Sequence, residues 1–299
     1  MEPVRVTDFA KAKQRGRKLK LLTAYDYPTA QILDAAGVDA VLVGDSLGMV
    51  VLGYEDTTRV TLEDVLHHTK AVARGTRRAL VIADMPFLSY HLGVYESVRA
   101  AGRLVQEGGC KAVKLEGGRE VLQSVRAIRA AGIPVMGHLG YTPQSVHLFG
   151  GHRAQGRTLE TARRILQDAL ALQEAGVFAL VLELVPHKLA TWLTRRLEIP
   201  TIGIGSGPGC DGQVLVTQDL LGLFPGFNPR HVRKYQDLHG LCSEAVRQYV
   251  HDVESGAFPT EGHSFSLDEA VLEALEGAAV HPGDDPLGDR PEAVHPEEV

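Results

Sequence analysis

Two stretches decide the fold prediction: AVLVGDS (40–46) and ALVIADMP (79–86). Each is an apolar run typical of a buried strand, and each ends in a carboxylate, Asp45 in the first and Asp84 in the second. A charge directly after such a run is expensive to bury unless it is paired or binds a cation. Because the two carboxylates occupy matching points of successive strand-helix units, we expect one shared site at the carboxyl ends of the strands.

The rest of the chain repeats this alternation of apolar runs and amphipathic segments from about residue 19 to residue 256. Helical segments with capping residues and terminal glycines separate the runs, as in 61–75, which opens with a Thr61–Asp64 capping pattern and ends on Gly75. Continuous apolar strands covered by helices indicate a parallel sheet. The other predicted helices are 95–109, 119–132 and 158–176. The predicted strands are 19–26, 40–46, 79–86, 112–118, 134–140, 179–186 and 200–207, with a weaker eighth at 229–235.

Roughly eight such units over about 240 residues match the size of a closed (β/α)₈ TIM barrel. The alternative is an open doubly wound sheet, but no GxGxxG follows the first strand. The prediction is therefore an α/β TIM barrel with an N-terminal capping helix in TDFAKAKQRGRK (7–18) and a disordered acidic C-terminal tail. The expected division is a catalytic barrel with its N-terminal helix at 1–265, a C-terminal helix at 266–279 and the tail at 280–299.

The composition and charge of the chain narrow the classes of partner and the cellular compartment that we expect for it. The net charge of −6, without a basic cluster, argues against nucleic acid or an anionic membrane as a partner. The sequence shows no apolar run long enough to span a bilayer and no signal-peptide core at its N-terminus. The three cysteines lie far apart without CxxC spacing, which is typical of reduced thiols in a cytoplasmic enzyme.

Polar residues at strand ends are the candidates for chemistry, since the active sites of barrel enzymes lie at that face. Three long glycine-rich segments, 44–54, 147–157 and 203–213, suit loops that close over a ligand. The candidate residues are Thr23, Tyr25, Asp26, Asp45, Ser46, Asp84, Lys114, Glu116, His138, Glu183 and Ser206.

The donor types among these candidates predict a magnesium site. Asp45, Asp84 and Glu116 offer hard oxygen ligands, which favour Mg²⁺ or a similar divalent ion. A 2-oxo acid could chelate such an ion through its carboxylate and keto oxygens, which would acidify the adjacent carbon. Lys114 is two residues from Glu116 and points to the same face, where it could contact an anionic substrate or stabilise an enolate. Glu183, flanked by apolar residues, suits a general base with a raised pKa.

Several segments, in this order, resemble the ketopantoate hydroxymethyltransferase family from about residue 4 to residue 262. They are TAYDYPTA, VGDSLGMVVLGYEDT, ADMPF, VKLEGG, GHLGYTPQS, GGHRAQGR, LELVP and GIGSGPGCDGQ. The resemblance implies a barrel of the phosphoenolpyruvate mutase/isocitrate lyase group. It also implies transfer of a hydroxymethyl group from 5,10-methylenetetrahydrofolate, as co-substrate, to 3-methyl-2-oxobutanoate, giving 2-dehydropantoate for pantothenate biosynthesis. One Mg²⁺ per subunit and a homo-oligomer, usually a decamer, are further implications.

The resemblance also implies roles for individual residues. Asp45 and Asp84 would be Mg²⁺ ligands, with Glu116 on the metal directly or through water. The sequence departs from the family pattern at three positions: Leu88 stands where Gly is common, Tyr141 where Leu is common and Leu184 where Cys is common. The 2-oxo acid would be held by Asp45, Ser46, Asp84 and Lys114, Glu183 would accept the proton, and His138 matches a pocket histidine.

Two other functions stay open at this point. A lyase of the same superfamily would keep the barrel and metal but cleave 2-oxo acids, with the cysteine-bearing PGCDG (208–212) loop as its nearest feature. A non-catalytic barrel would have lost at least one of Asp45, Asp84, Lys114 and Glu183, and the sequence retains all four.

Overall fold

The computed structural model describes residues 2–151, 153–226 and 229–278. The chain divides into two compact units, Met1–His239 and Gly240–Val299. The first unit is a closed barrel in which eight parallel strands follow one another in chain order. The strands are β1 (Leu19–Thr23), β2 (Ala40–Val43), β3 (Leu80–Asp84), β4 (Ala112–Glu116), β5 (Val135–Gly140), β6 (Ala179–Glu183), β7 (Thr201–Ile204) and β8 (Gly212–Leu215). The predicted TIM-barrel fold is confirmed.

Helices lie between successive strands from β1 to β7, the four predicted ones among them, whereas residues 205–211 between β7 and β8 contain no helix. The 61–75 helix begins after Thr61, whose hydroxyl accepts from the Asp64 N–H at 3.2 Å while the Asp64 carboxylate accepts from the Thr61 N–H at 2.9 Å. This capping box satisfies two backbone donors that the first helical turn leaves free. The helices are α1 (Val6–Gln14), α2 (Tyr27–Ala36), α3 (Leu47–Val50), α4 (Leu62–Gly75), α5 (Val94–Gln106), α6 (Leu122–Ala130), α7 (Val146–Phe149), α8 (Leu159–Ala175), α9 (His187–Arg196), α10 (Thr217–Leu220), α11 (Leu238–Ser255) and α12 (Glu269–Gly277).

The eighth strand is a correction to the sequence prediction. The structure places β8 at Gly212–Leu215, paired with both β7 and β1, whereas residues 229–235 form no strand. Three basic residues in 229–235 suit solvent, while an interior position needs a side chain such as that of Val214, which is 4% exposed. The glycine-rich segment 203–213 is therefore partly strand at its end.

The barrel interior and α1 form one apolar cluster. Phe9 and Ala12 of α1 are buried with inward-facing strand residues, and the Phe9 ring contacts Phe178 edge-on at 5.3 Å. Because Phe178 directly precedes β6, this contact lies at the end of the barrel where the strands begin. The predicted capping helix is confirmed, and it closes the end of the barrel opposite the carboxyl ends of the strands.

The inner face alternates with the strand period of two. In β3 and β4 the inward-facing apolar residues Leu80, Ile82 and Ala112 are followed by charged residues at the strand ends. The register pairs Asp84 with Lys114, Glu116 with His138, and Gly140 with Glu183. The interior of the barrel is therefore apolar along most of its length and ends in a ring of ionisable side chains at the carboxyl ends of the strands.

The second unit contains most of α11 and all of α12. Asp268 caps α12 by accepting from the Ala270 N–H at 3.0 Å, and this helix lies within the predicted 266–279 segment. The domain boundary at residue 265 stays a prediction, and the tail predicted at 280–299 lies outside the described residues. In the described part of the chain, no helix combines the length and the apolar character needed to cross a membrane.

Candidate active site

A cavity of about 410 Å³ opens at the strand-terminal mouth of the barrel. Each of the eight strands contributes to its lining, which includes all seven residues to which the family resemblance assigns roles. They are Asp45, Ser46, Asp84, Lys114, Glu116, His138 and Glu183. The expectation that polar strand ends converge is fulfilled for this set.

Lys114 and Asp84 form a buried ion pair in the floor of this pocket. The Lys114 Nζ lies 2.9 Å from Asp84 Oδ1, and both side chains are no more than 5% exposed. Burial lowers the pKa of Lys114, but the carboxylates of Asp84, Glu116 and Asp45 outweigh burial and raise it overall. Lys114 is therefore a fixed positive charge at any physiological pH.

The three carboxylates lie around this lysine. Asp84 Oδ2 accepts from the Asp45 backbone N–H at 2.9 Å. Burial, together with the negative charges of Asp84 and Glu116, raises the pKa of Asp45. Burial also raises the pKa of Glu116, to about 7, although Lys114 acts in the opposite direction. Three carboxyl groups share one ammonium group, so the pocket favours binding of further positive charge, which would hold all three in their ionised form.

The donor set fits a hard divalent cation. Asp84 Oδ1 and Glu116 Oε1 are buried oxygens that make no hydrogen bond to the described residues, and the first of these faces Lys114. Within the described part of the chain, no three His, Cys, Asp or Glu side chains are grouped closely enough to hold a metal ion by themselves. This arrangement suits Mg²⁺, which usually takes one or two carboxylates and completes its shell with water and substrate oxygens. The ligand set Asp45, Asp84 and Glu116 stays a prediction.

His138 lies between the carboxylates and Glu183. Its Nδ1 is 3.3 Å from both Glu116 Oε1 and Lys114 Nζ, and its Nε2 is 3.3 Å from Glu183 Oε2. Burial and then the charge of Lys114 lower the pKa of His138, so the ring is neutral near pH 7. Each ring nitrogen faces a carboxyl oxygen, Nδ1 that of Glu116 and Nε2 that of Glu183, so the ring bridges the two carboxyl groups.

Glu183 ends β6 and faces the pocket with its side chain 17% exposed. Burial raises its pKa, and His138 partly opposes this. The next residue, Leu184, has a φ of 49°, which is uncommon for a residue other than glycine. Its N–H donates to the Ile204 carbonyl at 2.9 Å, and its carbonyl accepts from the Gln155 N–H at 3.1 Å. These two backbone hydrogen bonds stabilise the strained turn.

Ser46 precedes the short helix α3, and its Oγ lies 2.7 Å from the Tyr25 hydroxyl. Burial raises the pKa of Tyr25, so this hydroxyl stays protonated and can donate to Ser46, although Tyr25 itself does not line the pocket. The pair supplies neutral hydrogen-bonding groups beside the charged cluster.

Three polar strand-end candidates have structural partners. Asp26 caps α2 by accepting from the Thr29 N–H at 2.8 Å. Ser206 donates to the Leu182 carbonyl at 2.8 Å and accepts from the Val185 N–H at 3.0 Å. Thr23 accepts from the Thr217 N–H at 3.1 Å. Asp26 and Ser206 lie outside the pocket lining, whereas Thr23 contributes to it.

Two residues of the site were missed by sequence reasoning. Gln144 donates to Asp45 Oδ2 at 2.8 Å, and Tyr90 donates to Gln144 Oε1 at 2.6 Å. The available signal for Gln144 was its place in the GHLGYTPQS segment quoted for the family resemblance. The candidates predicted from the sequence are polar groups at strand ends, whereas Gln144 is a neutral amide that lies beyond the end of its strand.

Comparisons with known proteins agree with this geometry. A sequence model of the ketopantoate hydroxymethyltransferase family matches residues 3–261. The 3-methyl-2-oxobutanoate hydroxymethyltransferase of Acetivibrio thermocellus is 64% identical over 268 residues, which cover 90% of this chain and 95% of the relative. The enzyme of the same name from Syntrophomonas wolfei is 54% identical and covers 92% of this chain and 100% of the relative.

Solved structures show the same fold at low sequence identity. A 2,3-dimethylmalate lyase of the PEP mutase/isocitrate lyase superfamily superimposes with a TM-score of 0.56 at 17% identity, covering 93% of this chain and 95% of that one. A phosphonopyruvate hydrolase solved with oxalate and Mg²⁺ has a TM-score of 0.56 at 13% identity, with coverages of 91% and 95%. At these identities the likeness concerns the fold alone.

Proposed function

Because this chain belongs to the ketopantoate hydroxymethyltransferase family, we propose that it transfers a one-carbon unit from 5,10-methylenetetrahydrofolate to 3-methyl-2-oxobutanoate. The product is 2-dehydropantoate, an intermediate of pantothenate biosynthesis. The observation that carries this proposal is the convergence of Asp45, Asp84, Lys114 and Glu183 on one pocket. A Mg²⁺ ion held there by Asp45 and Asp84, with Glu116 directly or through water, would polarise the keto oxygen and acidify carbon 3.

The residues of the pocket have separate tasks in binding. The Lys114 ammonium, fixed on Asp84, presents positive charge to the anionic 2-oxo acid. The Ser46 hydroxyl borders the same space and orients the substrate's oxygens. Support for this class of ligand comes from the phosphonopyruvate hydrolase of the same fold, since oxalate, like a 2-oxo acid, carries two adjacent oxygen donors.

Glu183 is the proposed base. Its carboxylate removes the proton from carbon 3, and its raised pKa makes it a stronger base than an exposed glutamate. The neutral His138, whose Nε2 faces Glu183 at 3.3 Å, orients this carboxylate. Negative charge then develops on the substrate's keto oxygen, where the Lys114 ammonium stabilises it electrostatically.

The carbon nucleophile next forms a bond to the methylene carbon of the folate. That carbon is bonded to two folate nitrogens: the first bond breaks when the ring opens to an iminium, and the second breaks as a water molecule supplies the hydroxyl group of the product. The proton taken from carbon 3 and one proton of that water end on the two nitrogens of tetrahydrofolate. We further propose that the chain forms a homo-oligomer, with a decamer as the expected number, and that it acts in the cytoplasm, where its three free thiols would remain reduced.

The test is ¹H NMR of 3-methyl-2-oxobutanoate in D₂O with enzyme and Mg²⁺, followed by addition of methylenetetrahydrofolate. Loss of the carbon 3 proton signal and then a folate-dependent hydroxymethyl signal would support the proposal. Release of pyruvate or glyoxylate from a 2-methylmalate-like substrate would favour a lyase instead. No exchange from folded, metal-loaded protein would refute the proposed chemistry.

A further inference from the structure

Gln144 makes contacts to two of the pocket carboxylates at once. It lies in the 3₁₀ turn Pro143–Ser145 after β5, and it is 5% exposed. Its amide nitrogen donates to Asp45 Oδ2 at 2.8 Å and to the Met85 carbonyl at 3.0 Å. Its backbone N–H donates to Glu116 Oε2 at 3.0 Å.

The orientation of this amide is fixed by its partners. Gln144 Oε1 accepts from the Tyr90 hydroxyl at 2.6 Å. A half-turn of the amide would place this oxygen against the Asp45 carboxylate and the Met85 carbonyl, which are two acceptors. Such acceptor–acceptor contacts in a buried place are costly, so one orientation of Gln144 is strongly favoured.

Tyr90 is itself held in place. Its backbone carbonyl accepts from the hydroxyls of Ser97 at 3.1 Å and Ser124 at 2.9 Å. Its phenolic oxygen accepts from the Glu116 N–H at 3.2 Å while donating to Gln144. Tyr90 is 2% exposed, so these bonds form in a region from which water is excluded.

These bonds occupy one oxygen of each carboxylate with a neutral donor. Gln144 contacts Asp45 Oδ2 and Glu116 Oε2, and the Asp45 N–H contacts Asp84 Oδ2. The opposite oxygen of Asp84 pairs with the Lys114 ammonium at 2.9 Å, and that of Glu116 lies 3.3 Å from His138 Nδ1, with no further hydrogen bond to the described residues. A neutral donor orients a carboxylate without cancelling its charge, which is what a ligand to a cation requires.

We propose that Gln144, held by Tyr90, is a positioning residue that orients Asp45 for cation-dependent binding of the 2-oxo acid. Gln144 acts through Asp45 and does not touch the reacting atoms. This inference rests on the proposed function, since the orientation of these carboxylates matters for catalysis only when they hold a cation.

The test measures binding of Mn²⁺, a paramagnetic substitute for Mg²⁺, by the loss of the free-ion EPR signal. The purified full chain is compared with Gln144→Met, Tyr90→Phe and the matched control Gln123→Met, whose glutamine is exposed on α6. We expect Gln144→Met to bind Mn²⁺ about 10- to 100-fold more weakly, the usual range for loss of such a supporting contact. Tyr90→Phe should show a smaller loss in the same direction, and Gln123→Met none.

A second readout separates positioning from general damage. Excess Mg²⁺ should restore most of the activity of Gln144→Met, because mass action refills a weakened site but does not repair a disordered one. A folded Gln144→Met with Mn²⁺ affinity within twofold of the wild type would overturn the inference while leaving the proposed function intact. If Gln144→Met does not fold, unchanged affinity in Tyr90→Phe overturns it. Failure of the wild type itself to bind Mn²⁺ would refute the proposed metal site, and this inference with it.

Discussion

The sharpest prediction concerns Glu183→Gln, which removes the proposed base and keeps the shape of the side chain. The Glu183 carboxylate is 3.3 Å from His138 Nε2, and a glutamine oxygen can accept from the same nitrogen. The ion pair of Lys114 and Asp84 is untouched, so the site for the anionic 2-oxo acid should persist. Loss of one nearby negative charge should leave the KM unchanged or slightly lower.

The expected loss in rate follows from the role of a general base. Such a group contributes about 10²- to 10⁴-fold, which corresponds to about 3–5 kcal/mol of activation free energy. The assay is exchange of the carbon 3 proton of 3-methyl-2-oxobutanoate in D₂O, followed by ¹H NMR with Mg²⁺ present and no folate. The exchange rate of the wild type should fall as the pH is lowered and Glu183 becomes protonated. Because burial raises the pKa of Glu183, the midpoint of this fall should lie above about 4.3, the pKa of an exposed glutamate.

Glu174→Gln, at an exposed glutamate on α8, is the matched control and should exchange at the wild-type rate. The reasoning would be refuted by Glu183→Gln that is folded, binds the 2-oxo acid, and exchanges the proton within about threefold of the wild type. In that case the base is another group, and His138 would be examined next.

Three further predictions concern the backbone around the barrel. The Asp34 carboxylate accepts hydrogen bonds from the backbone N–H groups of residues 77, 78 and 79. Burial raises the pKa of Asp34, but these hydrogen bonds outweigh burial and lower it overall. Asp34→Asn should therefore lower the free energy of unfolding by about 1–3 kcal/mol at pH 7. This stabilisation is present above the unfolded pKa of about 3.9 and is lost as pH falls through the lower folded value, so urea unfolding at pH 3 should show a smaller difference. Gly140 has a φ of 98°, and a Cβ there would collide with the Glu183 carbonyl oxygen. Gly140→Ala should lower the free energy of unfolding by about 1–3 kcal/mol through strain and remove most of the exchange activity. A stable, active variant would contradict this. Leu88 has a φ of 66° and is 46% exposed, so Leu88→Gly should raise the free energy of unfolding by about 0.5–1 kcal/mol, and a clear decrease would count against strain at this turn.

The departures from the family pattern illustrate how far the sequence can be read. Leu88 and Leu184 were noted as unusual for the family, but their identities alone do not reveal that both adopt positive φ. At Leu88 the resemblance gives glycine as the common residue, and the left-handed backbone supplies the physical reason. The third departure, Tyr141, is buried and lines the pocket with its pKa raised to about 12 by burial, so the pocket gains a neutral phenol there.

Prediction of the eighth strand failed for a reason that is not local. Residues 212–215 form only a short run inside a glycine-rich segment, and they become a strand because β7 and β1 leave a place between them. Ring closure supplies the hydrogen-bond partners that make this segment a strand. Residues 229–235 offered a longer stretch by pattern but no partner.

Local sequence patterns predicted the barrel, its capping helix and a set of polar strand ends, from which the family resemblance singled out seven residues. The reason is that strand alternation, helix capping and the spacing of Lys114 and Glu116 act over a few residues, and parallel strands bring their ends together. Closure of the barrel decided which of these polar strand ends line the pocket and which take a structural partner instead. Asp26 finds a partner three residues away and becomes a helix cap, whereas Asp45 finds Gln144 across 99 residues of sequence. Contacts across such distances depend on how the whole barrel closes, and no local pattern records them.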